Sequence, residues 1–333
     1  MITAPEWWKC WLTAIVSIAP LSLGNRRKWG FFVFLKHAIK EYEFDCKARK
    51  LGVNTIQGYM RMLRYLMDYL DKEYDITQIE DVKPFHIKHF LLLKQEEGKK
   101  PQYINDLLKV YKTFFRYLEE EEYLDKAPTA KIHNVKQPKV LIRTFSEDEI
   151  RRMLNYCNGR DFVSIRNKAL LSILFDTGMR LNEVVSLKRE QIHEEYILVH
   201  GKGNKERLVP VSPFLGKALM RYLFVRDSYF DERKIPEPYV FVSYRGYKMH
   251  QQFIGKLLKE IAEAVGVRKD IRVSPHTCRH TFAHLQLKNG LDLYSLSRLM
   301  GHENIAITQR YLDGMRTDQV LKAAQKTGVL ENL

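Results

Sequence analysis

Two imidazoles, a guanidinium and a phenol stand near the C-terminal end of the chain. His276 and Arg279 are three residues apart, His302 follows a glycine, and Tyr311 comes shortly after it. Imidazole and guanidinium groups suit phosphate oxygens, and a phenol held beside them can act as a nucleophile. These residue types in this order indicate chemistry on a phosphodiester.

Capping signals predict a helix that positions the first two groups. Ser274 is a good N-cap and Pro275 suits the first helical position, so a helix is expected to begin here and to end near Gly290. Because residues three apart share a helix face, His276 and Arg279 are expected to point the same way.

Two shorter helices are predicted to position the remaining groups. The first runs from an Asp292 cap to Gly301, where glycine supplies a left-handed stop, so His302 lies just beyond the helix end. Asn304 can cap a further helix that carries Tyr311. The predicted result is a compact helical hairpin with chemical groups at its bends and faces.

Composition and charge indicate the class of partner. The chain has 333 residues, 45% of them apolar, which is enough for two domains with hydrophobic cores. Its 55 Lys and Arg outnumber its 40 Asp and Glu, and the net charge of +15 predicts a polyanionic partner, DNA or RNA. The four cysteines are scattered without pairing spacing, as is typical of a reducing cytoplasm.

Residues 1–28 are interpreted as an apolar N-terminal extension of undetermined role. The uncharged run 10–24 is short for a membrane span, Pro20 interrupts it, and no basic region precedes it. The basic run 26–28 fits a cytoplasmic flank, so a signal or anchor remains a minority alternative.

Residues 29–125 show helical periodicity throughout and predict a four-helix, DNA-binding domain. Its helices are expected to cover 31–44 and to begin at Asn54, Pro84 and about Gln102. Residues 126–144 then predict a basic interdomain linker, because they contain prolines and lysines but no acidic residue. Lys136 and Lys139 in this linker are candidates for contact with DNA phosphates.

Residues 145–333 are predicted to form a second domain that ends in a C-terminal tail. Ser146 and Glu149 form a capping box, and two β-rich runs joined by a glycine-containing turn predict a hairpin with Lys202 and Lys205 at its tip. Residues 239–242 are a further strand candidate. The predicted fold class is mainly α, formally α+β, with a small antiparallel sheet.

The sequence lacks the residues that several other classes of enzyme require. The chain contains no glycine-rich loop of the nucleotide-hydrolase type. His276 and His280 have zinc-ligand spacing, but Thr277 stands where a metalloprotease needs glutamate. No carboxylate cluster indicates a two-metal nuclease. A metal-free means of neutralising phosphate remains, and no cofactor is expected.

The chain resembles the tyrosine recombinases of the phage-integrase and Xer type. The resemblance lies in five motifs, which are Thr-Gly-Met-Arg-x-x-Glu at 177–183, Gly-Lys-Gly-Asn-Lys-Glu-Arg at 201–207, His-x-x-Arg-His at 276–280, Leu-Met-Gly-His at 299–302, and Tyr311. Their order and spacing match the family, and the resemblance covers about residues 145–315. The N-terminal helical region resembles the family's core-binding domain in architecture more than in motifs.

The resemblance implies a role for each motif residue. Tyr311 is implied as the nucleophile, Lys202 as the general acid with Lys205 as its competitor, and Glu183 as a supporting residue. The scissile phosphate is implied to be held by Arg180, His276, Arg279 and His302. Since a free phenol has a pKa near 10, attack needs a proton acceptor, for which His276 is the hypothesis. Lys205 and Arg207 are further candidates for DNA contact.

The implied function is site-specific recombination through a 3′-phosphotyrosine intermediate, in the service of a mobile element. An Xer-type dimer resolvase, a strand relaxer like topoisomerase IB and a DNA-binding module that no longer cleaves remain alternatives. The implied partners are a specific site on double-stranded DNA, three further protomers in a tetramer, and accessory DNA-bending proteins.

Overall fold

The computed structural model describes residues 33–138, 142–201, 206–230, 238–302, 304–309 and 311. The chain divides into two compact units, Met1–Lys139 and Val140–Leu333. The extension 1–28, Lys139, the hairpin tip with Lys202 and Lys205, and the tail after Tyr311 lie outside the described residues. Within the described ranges, no helix is both long and apolar enough to cross a membrane.

The described part of the first unit is the predicted set of four helices. They are α1 (Leu35–Ala48), α2 (Val53–Tyr74), α3 (Pro84–Glu96) and α4 (Pro101–Glu120). Three boundaries differ from the prediction. Helix α1 begins at Leu35 and continues to Ala48, and α2 has Gly52 as its N-cap, so that Asn54 lies inside its first turn.

Helix α2 illustrates how the apolar pattern builds this unit. Its buried residues are three or four positions apart, so they form one stripe along the helix: Ile56, Met60, Leu63, Leu66 and Leu70. The fully buried Tyr111 of α4 donates a hydrogen bond from its hydroxyl to the Met62 carbonyl, at 3.1 Å. This bond satisfies a polar group that would otherwise be costly to bury.

The segment predicted to begin the linker packs on the first unit instead. Ala127 and Ile132 are buried in the same hydrophobic cluster as the four helices. The Asn105 side chain accepts from the Val135 N–H at 2.8 Å and donates to the Val135 carbonyl at 2.9 Å. Buried apolar side chains and paired backbone groups hold this segment, so its charge pattern was misleading. Lys136 is exposed, as predicted.

The described part of the second unit is helical apart from one hairpin. Its elements are α5 (Glu147–Tyr156), α6 (Phe162–Asp176), α7 (Leu181–Val185), a 3-10 turn (Arg189–Gln191), β1 (Tyr196–His200), β2 (Glu206–Pro210), α8 (Pro213–Tyr229), α9 (Gln251–Ala264), α10 (Pro275–Lys288), α11 (Leu293–Met300) and α12 (Ala306–Gln309). The two strands are antiparallel, and His200 lies opposite Glu206. The fold class is therefore the predicted one.

Helix α6 is the centre of this unit, because it is apolar around most of its circumference. Buried residues follow one another from Ala169 to Phe175, which fits a helix enclosed by neighbours. The hairpin contributes Ile197, Val199 and Val209 to the same core. Helix α6 thus provides a rigid support for the turn that follows it.

Two predictions for this unit were wrong in detail. Residues 239–242 form only isolated bridges, because the Val240 N–H donates to the Leu187 carbonyl and the Tyr222 hydroxyl donates to the Val240 carbonyl. Helix α12 ends at Gln309, so Tyr311 lies in the turn beyond it, where its N–H donates to the Thr308 carbonyl at 3.0 Å.

Candidate active site

A tight turn after α6 positions the first arginine of the site. The Thr177 hydroxyl donates to the Ile173 carbonyl at 2.5 Å and accepts from the Met179 N–H at 3.2 Å. Gly178 has a φ of 59°, in the left-handed region that favours glycine. The chain therefore turns sharply and leaves Arg180 as the N-cap residue of α7.

Arg180 is anchored at its base while its side chain remains 45% exposed. Its backbone N–H donates to a Glu183 carboxylate oxygen at 2.7 Å, and its Nη1 donates to the other oxygen at 3.1 Å. Its Nη2 donates to the Gly301 carbonyl at 2.8 Å. These bonds orient the guanidinium beside the α11 terminus with part of its surface open to solvent.

Glu183 also binds Arg207, which the sequence interpretation had assigned to DNA contact. The Arg207 side chain is only 11% exposed, and both of its terminal nitrogens donate to the Glu183 carboxylate. Its Nε donates to the Leu299 carbonyl at 2.8 Å. Burial opposes ionisation of Glu183, but hydrogen bonds from Arg207 and Arg180 lower its pKa. Arg207 therefore supports the site through its contacts with Glu183 and Leu299 and is not a free surface cation.

Helix α10 begins as predicted and presents the second arginine inward. The Ser274 hydroxyl accepts from the Thr277 N–H at 3.2 Å, which caps the helix. Arg279 is buried and donates to the carbonyls of Gly178 and Met300 at 2.5 and 2.7 Å. Burial, with repulsion from Arg180, lowers the pKa of Arg279 to about 10, so it remains charged at neutral pH.

His302 lies next to Arg279 because Gly301 ends α11 in the left-handed conformation, as predicted. Arg279 Nη2 lies 2.9 Å from His302 Nε2, and since guanidinium only donates, this nitrogen accepts. The other ring nitrogen lies 2.8 Å from the Thr308 hydroxyl. Burial, followed by repulsion from Arg279, lowers the pKa of His302 to about 4, so its imidazole is neutral at pH 7.

The phenol of Tyr311 lies among these groups, and the residue is only 5% exposed. Its ring stacks on that of His302, with centroids 6.5 Å apart and planes 12° apart. Its hydroxyl lies 3.0 Å from His280 Nδ1. His276, the predicted proton acceptor, has its ring centroid 4.2 Å from that of His280.

The sequence interpretation did not assign His280 a role in the site. The signal was present, because His280 ends the His-x-x-Arg-His motif and lies four residues after His276, on the same helix face. The spacing of His276 and His280 was considered only as that of zinc ligands. In the part of the chain that the structure describes, no three His, Cys, Asp or Glu side chains are grouped to hold a metal ion.

The structure brings most of the predicted site residues together. Arg180, Arg279, His302 and Tyr311 meet where α7, α10 and the end of α11 converge, with Glu183 and Arg207 supporting them. His276 joins this group through His280. Guanidinium groups and neutral imidazoles around a buried phenol form a surface suited to one phosphate group and a nucleophile.

Known proteins resemble this chain in sequence over most of its length. Residues 143–316 match the phage integrase family. Tyrosine recombinase XerD of Listeria monocytogenes is 32% identical over 265 residues, which cover 79% of this chain and 89% of the relative. Tyrosine recombinase XerC of Halalkalibacterium halodurans is 29% identical over 264 residues, with coverage of 78% and 86%.

Solved structures share the fold. The XerH site-specific recombinase bound to a palindromic difH substrate has a TM-score of 0.69 at 22% identity, covering 88% of this chain and 85% of that one. A lambda integrase dimer bound to a COC' core site has a TM-score of 0.68 at 17% identity, covering 93% and 85%.

Fold, site and relatives together define an enzyme that cleaves and rejoins DNA strands by transesterification. The chain belongs to the phage integrase family of tyrosine recombinases.

Proposed function

We propose that this site-specific DNA recombinase uses Tyr311 as its nucleophile and holds the scissile phosphate with Arg180, Arg279, His276 and His302. The observation that supports the proposal is the packing of the Tyr311 ring on His302, whose Nε2 is bonded to Arg279. A phosphate held by these groups lies within reach of the phenol. Both arginine forks match the geometry of phosphate oxygens and meet the charge that accumulates on them in the transition state.

The cleavage step exchanges one phosphodiester for another. Tyr311 Oη attacks phosphorus, an Oη–P bond forms, and the bond from phosphorus to the 5′-oxygen breaks. Lys202 gives its proton to the leaving 5′-oxygen, and the phenolic proton leaves Tyr311. Because the 3′-phosphotyrosine keeps the energy of the phosphodiester, rejoining is the reverse attack by a 5′-hydroxyl and needs no ATP.

A covalent adduct tests the role of Tyr311. A duplex selected by this protein from random-sequence DNA and then nicked near the cleavage point traps the adduct, because the short released strand diffuses away. The native chain should give a protein–DNA species that survives denaturant, and Tyr311→Phe should not. Tyr294→Phe, which alters an exposed tyrosine of α11, should still form the adduct. An adduct formed by Tyr311→Phe removes Tyr311 from the nucleophile role.

Strand relaxation without site preference is the second candidate activity, because the same residues could nick and reseal one strand. Relaxation of a supercoiled plasmid without the selected site favours it. Formation of recombinant products only from plasmids that carry two selected sites favours recombination.

Assembly and biological setting complete the proposal. Double-stranded DNA is the partner, with domain 29–125 contributing to binding and Lys136 to contact with phosphates. The assembled form is a tetramer on two duplexes, aided by accessory DNA-bending proteins, in the cytoplasm. Mobile-element integration and Xer-type dimer resolution share this chemistry and these motifs, and the similarity to XerD supports the second. The DNA flanking the coding region distinguishes them.

A further inference from the structure

The imidazole of His280 lies within hydrogen-bond distance of the Tyr311 hydroxyl. It lies on α10 one turn after His276, and its Nδ1 is 3.0 Å from the Tyr311 hydroxyl. The ring centroids of His280 and Tyr311 are 5.3 Å apart. In strand cleavage the phenolic proton leaves Tyr311, and the group that accepts it must reach the phenol by a hydrogen bond, directly or through one water.

The surroundings of His280 keep its imidazole neutral and therefore able to accept. Burial lowers its pKa to about 4, with repulsion from His276 and Arg279 adding to the effect. The Tyr311 ring lies beside both His280 and His302. A hydrogen on Nδ1 would point at the phenol oxygen and occupy the lone pair that must attack phosphorus. The productive tautomer therefore carries its hydrogen on Nε2.

We propose that His280 is the proton acceptor for Tyr311 in strand cleavage. The inference rests on the proposed role of Tyr311 as nucleophile. As the Oη–P bond forms, the phenolic O–H bond breaks and its proton moves to Nδ1, which leaves an imidazolium. The P–O5′ bond breaks, and the 5′-oxygen takes its proton from Lys202. In rejoining, His280 returns the proton to the departing phenol.

Charge changes during the reaction make a weakly basic imidazole adequate. A bound phosphate brings negative charge next to Arg279, which offsets the repulsion that depresses the pKa of His280. The phenol oxygen also becomes much more acidic as it bonds to phosphorus, so proton transfer accompanies attack instead of preceding it. His276 lies one ring further from the phenol and remains available to the phosphate.

The test compares substitutions that separate orientation from proton transfer. His280→Asn keeps an acceptor oxygen near the Nδ1 position but cannot take a proton, and His280→Ala removes both. Both should slow single-turnover adduct formation by about a hundredfold or more, the usual contribution of a general base, while DNA affinity stays unchanged. His284→Asn makes the same chemical change one turn later on α10 and should cleave like the native chain.

Replacing Tyr311 by a more acidic phenol shows whether His280→Asn is impaired in removing the phenolic proton. With 3,5-difluorotyrosine at position 311, the phenol is far more acidic and begins to ionise near neutral pH, so it depends much less on an acceptor and the deficit of His280→Asn should shrink at least tenfold. A substrate with sulfur in place of the leaving 5′-oxygen should not reduce that deficit, because it assists only the leaving group.

Each outcome decides the inference. Native rates for His280→Asn, a deficit unaffected by the fluorinated phenol, or recovery on the 5′-sulfur substrate overturns it. If His280→Asn does not bind DNA, His280→Gln replaces it under the same criteria. An adduct formed by Tyr311→Phe means that the proposed nucleophile is wrong, whereas a silent Tyr311→Phe with a fully active His280→Asn refutes only the role of His280.

Discussion

The guanidinium of Arg207 binds the Glu183 carboxylate through two parallel hydrogen bonds, 2.9 and 2.6 Å long. Arg207 belongs to β2, and Glu183 belongs to α7, whose N-cap residue is Arg180. Because Arg207 Nε also holds the Leu299 carbonyl near the end of α11, one ion pair ties three separate segments together. The pair fixes the position of Glu183, which in turn holds Arg180, one of the proposed phosphate ligands.

Breaking this pair should destabilise the second unit and disorder Arg180. Glu183→Gln and Arg207→Met should each lower the free energy of unfolding by about 1.5–3 kcal/mol, because each leaves a nearly buried charged partner without its counterpart. Urea titration of both variants and of the double variant measures the coupling. Additive losses contradict the pairing, whereas a double variant close to either single variant supports it.

Arg180 and Arg279, the two arginines proposed to bind the phosphate, should respond differently to substitution by lysine. Arg180 is partly exposed, so Arg180→Lys should slow cleavage by about a hundredfold, the cost of losing one transition-state donor, with an unchanged melting temperature. Arg279 is buried and supports the carbonyls of Gly178 and Met300, so Arg279→Lys should reduce both cleavage and stability. Arg221→Lys on the exposed surface of α8 is the control for both measurements.

Acid should destabilise the free protein before most carboxylates titrate. The pKa values of His280 and His302 are lowered to about 4 in the folded chain, whereas an unfolded histidine titrates near 6.5. Between these values the unfolded chain binds protons that the folded chain does not, so stability present above pH 6.5 is lost as pH falls toward 4. Each histidine contributes at most about 1.4 kcal/mol per pH unit.

Urea midpoints between pH 7 and pH 4.5 measure this loss. His302→Gln should flatten the dependence, since it removes one of the two groups. A bound phosphate should flatten it as well, because its negative charge favours the protonated imidazoles. An equally steep curve for His302→Gln contradicts the assignment.

Local sequence signals predicted those parts of the site that depend only on neighbouring residues. The Asp292 cap and the Gly301 stop set the position of His302 from neighbouring residues alone, and the structure has both. The contacts between His280 and Tyr311 and between Arg207 and Glu183 join residues 31 and 24 positions apart. Such pairings depend on how helices pack, which the capping and periodicity signals do not determine.

The local run of basic residues was a less reliable signal than the helix caps. The basic run at 126–144 predicted an extended interdomain linker, yet Ala127 and Ile132 within it are buried. A few apolar side chains at the right spacing outweigh many exposed lysines, because burial contributes free energy and a solvated charge contributes little.

Lys202 should be required only when the leaving group needs a proton. Lys202→Ala should slow cleavage of an ordinary nicked duplex by about a hundredfold or more, the usual contribution of a general acid. On a duplex with 5′-sulfur at the scissile bond it should cleave nearly as fast as the native chain, because a thiol ionises near pH 8.5 and leaves unaided. Lys205→Ala is the matched control, and rescue of that variant instead would transfer the role to Lys205.

Gly178 should tolerate no side chain, because two independent constraints meet there. Its φ of 59° costs an alanine about 1–2 kcal/mol, and a Cβ at this position would collide with the ring of Phe282. Gly178→Ala should therefore lower the free energy of unfolding by more than the backbone cost alone. It should also slow cleavage, since the displaced Gly178 carbonyl accepts the hydrogen bond that orients Arg279.

Gly266→Ala isolates the backbone contribution to that effect. Gly266 has a similar φ of 68°, but a Cβ there meets only ordinary van der Waals contact, with Arg152. Its loss of stability should stay within about 1–2 kcal/mol and its cleavage rate should match that of the native chain. If Gly178→Ala and Gly266→Ala lose equal free energy of unfolding, the Phe282 ring moves aside without destabilising the fold. The Gly178 turn would then be a backbone requirement only, and the close contact between α6 and α10 would not be what positions Arg279.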